Sequence, residues 1–245
     1  MIGKIIGIRV VNTTCSAEAP TIAGERENIT LGTINSHSEN RKGMVYLVVD
    51  CSGSMAGYKI SQVKKGILEF AQDAMKKDYT VGLIKFNTSA THLCEPKCDI
   101  GDLSACLDNM DANGSTNMAA AITMAHEQLG DTKYARAIVV ATDGRPDKSQ
   151  SALQAGQMAK NDGLEIIAIG TDDADLAFLR KLATNVELGN KVSTEQFGKA
   201  IASAHLLLPD PRQMDRSNLL TREQTKSLPY PGLKNYCFSR QGMAF

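Results

Sequence analysis

The sequence lacks any excess of charge, because its 27 basic and 27 acidic residues give a formal net charge of zero. A nucleic-acid surface needs clustered Lys and Arg, so this balance argues against nucleic acid as a partner, and equally against an anionic membrane. No run of about 18 apolar residues occurs, so no membrane span is expected. Lys4, Gly7 and Arg9 interrupt the apolar start of the chain, which is unlike a secretory signal and predicts a cytoplasmic protein.

Cysteine is also scarce, with six residues in the 245-residue chain. This density is too low for a disulfide scaffold, so reduced and mostly buried thiols are expected. Cys94 and Cys98, with His92 before and Cys106 after, could suggest zinc, but their spacing fits no familiar zinc motif and core or edge-strand cysteines are favoured. Cys51 has no histidine close in sequence, which favours a small buried thiol over a nucleophile.

From residue 44 onward, short β-branched runs alternate with amphipathic helical patterns. Such alternation is typical of a mostly parallel sheet with helices on both faces, a Rossmann-like open α/β sheet. Residues 87–96 predict one short antiparallel edge strand. The other predicted strands cover residues 44–50, 80–86, 135–143 and 164–170, and the predicted helices cover residues 58–77, 117–129, 149–162, 171–183 and 193–208, with Asp175 and Ser193 as candidate N-caps.

These patterns predict a core domain over residues 43–208, with an extension on each side. Residues 1–42 begin with a strand-like segment and then become polar. The tail, residues 209–245, is rich in aromatic side chains, which predicts that it docks on its own domain or on a partner. The tail aromatics are Tyr230, Tyr236, Phe238 and Phe245.

Oxygen-bearing side chains are concentrated where the predicted strands end. Asp50, Ser52 and Ser54 follow the first strand, Thr116 precedes the helix over 117–129, and Asp143 follows the central strand. In an open α/β sheet, ligands bind outside the carboxyl ends of the strands. Two carboxylates and three hydroxyls, without imidazole or thiolate, suit Mg²⁺ above all, and then Mn²⁺ or Ca²⁺. Two carboxylates nearly neutralise a divalent ion, which could then accept one more carboxylate from outside.

The pattern Asp50-x-Ser52-x-Ser54, followed by Thr116 and Asp143-Gly144, resembles the metal-ion-dependent adhesion site of von Willebrand factor type A domains. The resemblance covers residues 43–208. It implies that Ser52 and Ser54 coordinate the metal directly, that Asp50 and Asp143 do so directly or through water, and that Thr116 engages depending on ligand state. A Glu or Asp of a partner protein would complete the coordination. The resemblance also implies an adaptor or scaffold role, beside an AAA+ ATPase or a kinase or phosphatase module.

Other interpretations of the same residues remain open at this point. The Asp-Ser-Ser cluster could be a simple turn that caps the helix beginning near residue 58. An enzyme could use the same metal for hydrolysis or phosphoryl transfer, and Asp147 and Asp111 are the nearby acids available to it. Met55 and Met118 could form an adaptable rim around a bound partner, although packing in the core is the alternative.

Overall fold

The computed structural model describes residues 43–96, 99–132, 134–171 and 173–211. They contain six strands: β1 (Gly43–Asp50), β2 (Tyr79–Phe86), β3 (Ala90–Cys94), β4 (Ala135–Thr142), β5 (Glu165–Gly170) and β6 (Gly189–Lys191). The strands form one sheet with the order β3-β2-β1-β4-β5-β6. β3 pairs antiparallel with β2, and every other pairing is parallel. This confirms the predicted open α/β sheet with one short antiparallel edge strand.

Helices cover both faces of the sheet: α1 (Tyr58–Lys76), α2 (Ile100–Asp108), α3 (Met118–Leu129), α4 (Ser149–Asn161), α5 (Leu176–Leu182) and α6 (Phe197–Ser203). Alternate residues of the central strand β1 pack against opposite helix layers. Val45, Leu47 and Val49 pack in one apolar cluster with α1, α2 and α6, whereas Tyr46 and Val48 pack in the other with α3, α4 and α5. Because both faces are buried, the central strands are nearly continuous apolar runs.

Helix α1 places the residues that follow β1 against the rest of the domain. Val63, Ile67, Phe70 and Ala74 recur every three or four positions and are fully buried, as an amphipathic helix requires. On the same side, α1 packs closely on α6, since a Cβ added at Gly66 would lie 2.4 Å from the carbonyl oxygen of the facing α6 backbone. The position of α1 in the domain is therefore fixed by tertiary packing.

Helix α2 and the three-residue strand β6 were not predicted from the sequence, and one predicted helix is broken. Asp175 caps α5 as predicted, and its Oδ1 accepts from the amides of the second and third residues after it. The helix predicted over 193–208 divides into a 3-10 turn (Thr194–Gln196), α6 and a second 3-10 turn (Ala204–Leu207). Ser193 stands at the N-cap position of the first 3-10 turn, as predicted, but its side chain makes no capping hydrogen bond.

The predicted extension over residues 1–42 and nearly all of the predicted tail lie outside the described residues. The first tail residues are the exception. The Tyr79 hydroxyl donates to the carbonyl oxygen of Pro209 at 2.6 Å, and Pro211 is buried. Among the described residues, no helix combines the length and the apolar character needed to cross a membrane.

Candidate metal centre

The buried polar side chains of the described domain gather at one edge of the sheet. They are Asp50, Ser52, Thr142, Asp143 and Thr171, each at most 3% exposed. Asp50 and Thr142 end β1 and β4, and the other three follow the ends of β1, β4 and β5. Burying a polar group costs free energy unless it has hydrogen-bond partners. A cluster of buried polar side chains at one edge of the sheet therefore indicates a functional site at that edge.

Asp50 is fully buried and is held by two hydrogen bonds. Its Oδ1 accepts from the Ser52 amide at 2.8 Å, and its Oδ2 accepts from the Thr142 hydroxyl at 2.6 Å. Burial raises the pKa of Asp50, and the hydrogen bonds from Thr142 and Ser52 oppose that shift. Sequence reasoning missed Thr142, although a hydroxyl residue directly before Asp143, at the end of an apolar strand, was an available signal.

Ser52, Ser54 and Asp143 form a chain of oxygen atoms that links the loops following β1 and β4. The two serine hydroxyl oxygens are 3.1 Å apart, and the Ser54 hydroxyl donates to Oδ1 of Asp143 at 2.8 Å. Adjacent ligands of an octahedral ion with bonds of about 2.1 Å are separated by about 3.0 Å. The oxygen atoms present are therefore of the kind and spacing that fit a Mg²⁺-type ion.

Backbone contacts bring the Thr116 loop to the same edge. The Gly53 amide donates to the Gly114 carbonyl at 3.1 Å, which ties this loop to the serine turn. Asp147 and Thr116 bond reciprocally: the Thr116 amide donates to Oδ2 of Asp147 at 3.1 Å, and the Asp147 amide donates to the Thr116 carbonyl at 3.0 Å. Asp147 thus has a positioning role that sequence reasoning did not assign. Its carboxylate holds the Thr116 loop, and this weakens its candidacy as a general base.

Lys59 is a further residue of this edge that sequence reasoning missed. Its Nζ lies 2.7 Å from Oδ2 of Asp143 and 3.2 Å from Oδ2 of Asp173. Burial would lower the pKa of Lys59, but the hydrogen bonds to Asp143 and Asp173 outweigh it and raise the pKa. The charges of Asp50 and Asp143 are therefore not the only charges at this edge, because the Lys59 ammonium neutralises the Asp143 carboxylate.

The structure excludes several simpler interpretations of these residues. The turn does not cap α1, because the N-cap of α1 is Gly57, and Ser52 makes no side-chain capping hydrogen bond. Met55 and Met118 are fully buried, so both residues belong to the core and the alternative of an adaptable rim is excluded. Cys51 is buried, and burial together with the nearby Asp50 raises its pKa to about 12, as expected for an inert thiol.

The zinc interpretation is not supported by the part of the chain that the structure describes. No group of three or more His, Cys, Asp or Glu side chains there could hold a metal ion. Cys94 is buried, and the Cys106 thiol donates to the carbonyl of Leu93 at 3.1 Å. Cys98 lies outside the described residues.

A family model for the von Willebrand factor type A domain matches residues 45–202. The chain therefore belongs to this family. A search of curated protein sequences found no match.

Solved structures of several proteins share the fold at low sequence identity. The proximal thread matrix protein 1 of the mussel byssus, with zinc in its adhesion-site motif, superposes with a TM-score of 0.58 at 17% identity, over 67% of this chain and 45% of that one. Manganese-loaded TRAP protein of Plasmodium vivax gives 0.56 at 21%, over 67% and 72%. BatB of Bacteroides thetaiotaomicron gives 0.56 at 18%, over 71% and 100%. This chain thus spans less than half the length of the mussel protein.

Proposed function

We propose that this domain is a metal-dependent protein-binding module that captures an acidic side chain of a partner through a Mg²⁺-type site. Asp50, Ser52, Ser54, Thr116 and Asp143 would hold the ion. The observation that carries the proposal is the confinement of the buried polar side chains to the carboxyl edge of the sheet, with oxygen atoms 2.8 and 3.1 Å apart. Membership of the von Willebrand factor type A family supports it.

The donor set favours a hard divalent cation. Carboxylate and hydroxyl oxygens suit Mg²⁺, and Mn²⁺ or Ca²⁺ can use the same ligands. Among the fold relatives, the mussel protein carries zinc in its adhesion-site motif and the Plasmodium vivax protein is manganese-loaded, which supports a divalent ion without selecting one. We propose Mg²⁺ because all five proposed ligands are oxygen donors, whereas nitrogen or sulfur donors would favour zinc.

An open coordination position would receive the partner. The bound ion supplies a Lewis-acidic centre that attracts a carboxylate. Ser52 and Ser54, two of the proposed ligands, follow β1 and carry no charge. They would therefore hold the ion without cancelling its positive charge. Ser54 is exposed, whereas Ser52 is buried, so the site opens to solvent on the Ser54 side. A Glu or Asp side chain that projects from a partner surface has the charge and the reach for this position.

We propose that the module acts as an adaptor or scaffold and not as an enzyme. Asp147, the better placed of the two acids considered as a general base, is engaged with Thr116 at 3.1 Å. Asp111 is exposed and follows α2 without a described contact to the ion ligands. An AAA+ ATPase or a kinase or phosphatase module as the partner, a cytoplasmic location, and the domain limits at residues 43 and 208 remain predictions.

The test is capture of a partner from a lysate of the source organism on immobilised protein, with and without EDTA. We expect one acidic partner to be retained only with Mg²⁺, and Ser52→Ala and Asp143→Ala each to abolish its retention. Ser61→Ala is the matched control, because Ser61 is an exposed serine on α1 whose hydroxyl donates only to the Gly57 carbonyl. Retention that is indifferent to EDTA and to both site variants would refute the proposal.

A further inference from the structure

The Lys59 ammonium group is the feature that the metal site alone does not explain. Both carboxylate oxygens of Asp143 are engaged: Oδ1 accepts from Ser54 at 2.8 Å, and Oδ2 accepts from Lys59 at 2.7 Å. Asp143 is 1% exposed, and the Lys59 side chain is 18% exposed. Water therefore screens this ion pair much less than it screens an ion pair on the surface.

The position of Lys59 is fixed by the fold. It is the second residue of α1, whose buried stripe packs on the sheet and whose backbone packs closely on α6. A second carboxylate, Asp173, lies 3.2 Å from the ammonium but is 73% exposed, so its charge is largely screened by water. The pairing with Asp143 is thus the stronger of the two.

The charge balance of the site follows from these contacts. Asp50 and Asp143 together carry two negative charges, which would neutralise a divalent ion. With Lys59 included, the three side chains carry a single negative charge, so a bound divalent ion keeps about one positive charge. A site of this kind holds its metal less tightly, and it attracts an incoming carboxylate more strongly.

We propose that Lys59 is a resident counter-cation that weakens binding of the metal and strengthens binding of the partner's carboxylate. The two binding events then support each other, because the arriving carboxylate supplies the negative charge that Lys59 has cancelled. This inference rests on the proposed function, since it assigns a regulatory role at the same site.

The experiment measures Mn²⁺ affinity by electron paramagnetic resonance, and acetate affinity of the Mn²⁺-loaded protein by water-proton relaxation. Lys59→Gln and Lys59→Met both remove the charge, and Met keeps the length of the aliphatic stem if Gln disturbs folding. We expect Mn²⁺ to bind about tenfold more tightly to these variants, and acetate to bind several-fold more weakly. Lys59→Arg should behave as the wild type.

Lys65→Gln is the matched control, because Lys65 lies on the same helix with a side chain that is 74% exposed and 3.9 Å from Glu69. It should leave both affinities unchanged. The opposite signs of the two effects are diagnostic, because a variant that merely damaged the site would weaken both. If the wild type binds Mn²⁺ but the Lys59 variants bind it with unchanged or lower affinity, the inference is overturned while the proposed function stands. Failure of the wild type and all Lys59 variants to bind Mn²⁺ would overturn both.

Discussion

Replacement of Asp50 by asparagine tests whether the domain sacrifices stability for metal binding. Asp50 is fully buried, with hydrogen bonds of 2.8 Å from the Ser52 amide and 2.6 Å from the Thr142 hydroxyl. Asparagine can keep both contacts, because its Oδ1 can accept from the Ser52 amide and its amino group can donate to the Thr142 hydroxyl, which rotates. The substitution therefore removes the charge while the hydrogen-bonded geometry is retained.

The expected gain follows from the raised pKa of Asp50, which is caused mainly by burial. A pKa raised on folding means that the ionised carboxylate destabilises the metal-free native state, by about 1.4 kcal/mol for each unit of pKa. We expect Asp50→Asn to raise the free energy of unfolding of the metal-free protein at neutral pH, and each 1 kcal/mol gained should raise Tm by about 2–4 °C for a domain of this size. The same variant should lose at least about tenfold in metal affinity, because one of two anionic ligands is gone.

The difference in stability between Asp50→Asn and the wild type should depend on pH. Below the unfolded-state pKa, near 3.8, Asp50 is protonated in both states, and the variant and wild type should be equally stable. As pH rises through the raised native-state pKa, the wild type loses stability that the variant retains. Urea unfolding in EDTA from pH 3.5 to 8 measures this difference. An Asp50→Asn protein that is less stable than the wild type at pH 7 in EDTA would refute the reasoning.

Substitutions at three further positions test two contacts of the site and the packing of α1 on α6. Thr142→Val removes the donor to buried Asp50 and should lower the free energy of unfolding by about 1–3 kcal/mol in urea titrations; an unchanged midpoint would contradict this role. Asp147→Ala should lower stability by less than about 1 kcal/mol, because the contact is exposed, yet weaken capture of a carboxylate by loosening Thr116, while Asp147→Asn, which keeps an acceptor, should retain capture. Gly66→Ala should cost about 1–3 kcal/mol in thermal unfolding, because its Cβ would lie 2.4 Å from the backbone of α6, and a neutral effect would show that the two helices can separate easily.

The fold was predictable where local pattern and tertiary packing agree. The central strands are buried on both faces, so their β-branched runs stand out in the sequence. Helix α2 was missed because it is short and buries only Leu103 and Leu107, which leaves little periodicity to detect. The 193–208 segment has a helical pattern, but the structure divides it into a 3-10 turn, the short helix α6 and a second 3-10 turn, since propensity is weak against tertiary context.

The loops of the candidate site were predictable, but the side chains that tune it were not. Asp50, Ser52 and Ser54 follow one another closely and end a recognisable strand. Thr142 and Lys59 owe their roles to partners 92 and 84 positions away, and only strand pairing and helix packing bring those partners together. No local pattern distinguishes Lys59 from the other lysines of α1 until its ammonium is seen against Asp143.

The most direct test of the central proposal is whether a metal held by this domain takes up a carboxylate. Mn²⁺-loaded protein is mixed with a ¹³C-carboxylate-labelled glutamate peptide, and paramagnetic broadening of the carboxylate carbon is measured. We predict strong broadening with the wild type and with the Ser61→Ala control, and its loss with Ser52→Ala or on addition of EDTA. A carboxylate signal that stays narrow while the wild type demonstrably holds Mn²⁺ would contradict the proposal that the site captures an acidic side chain.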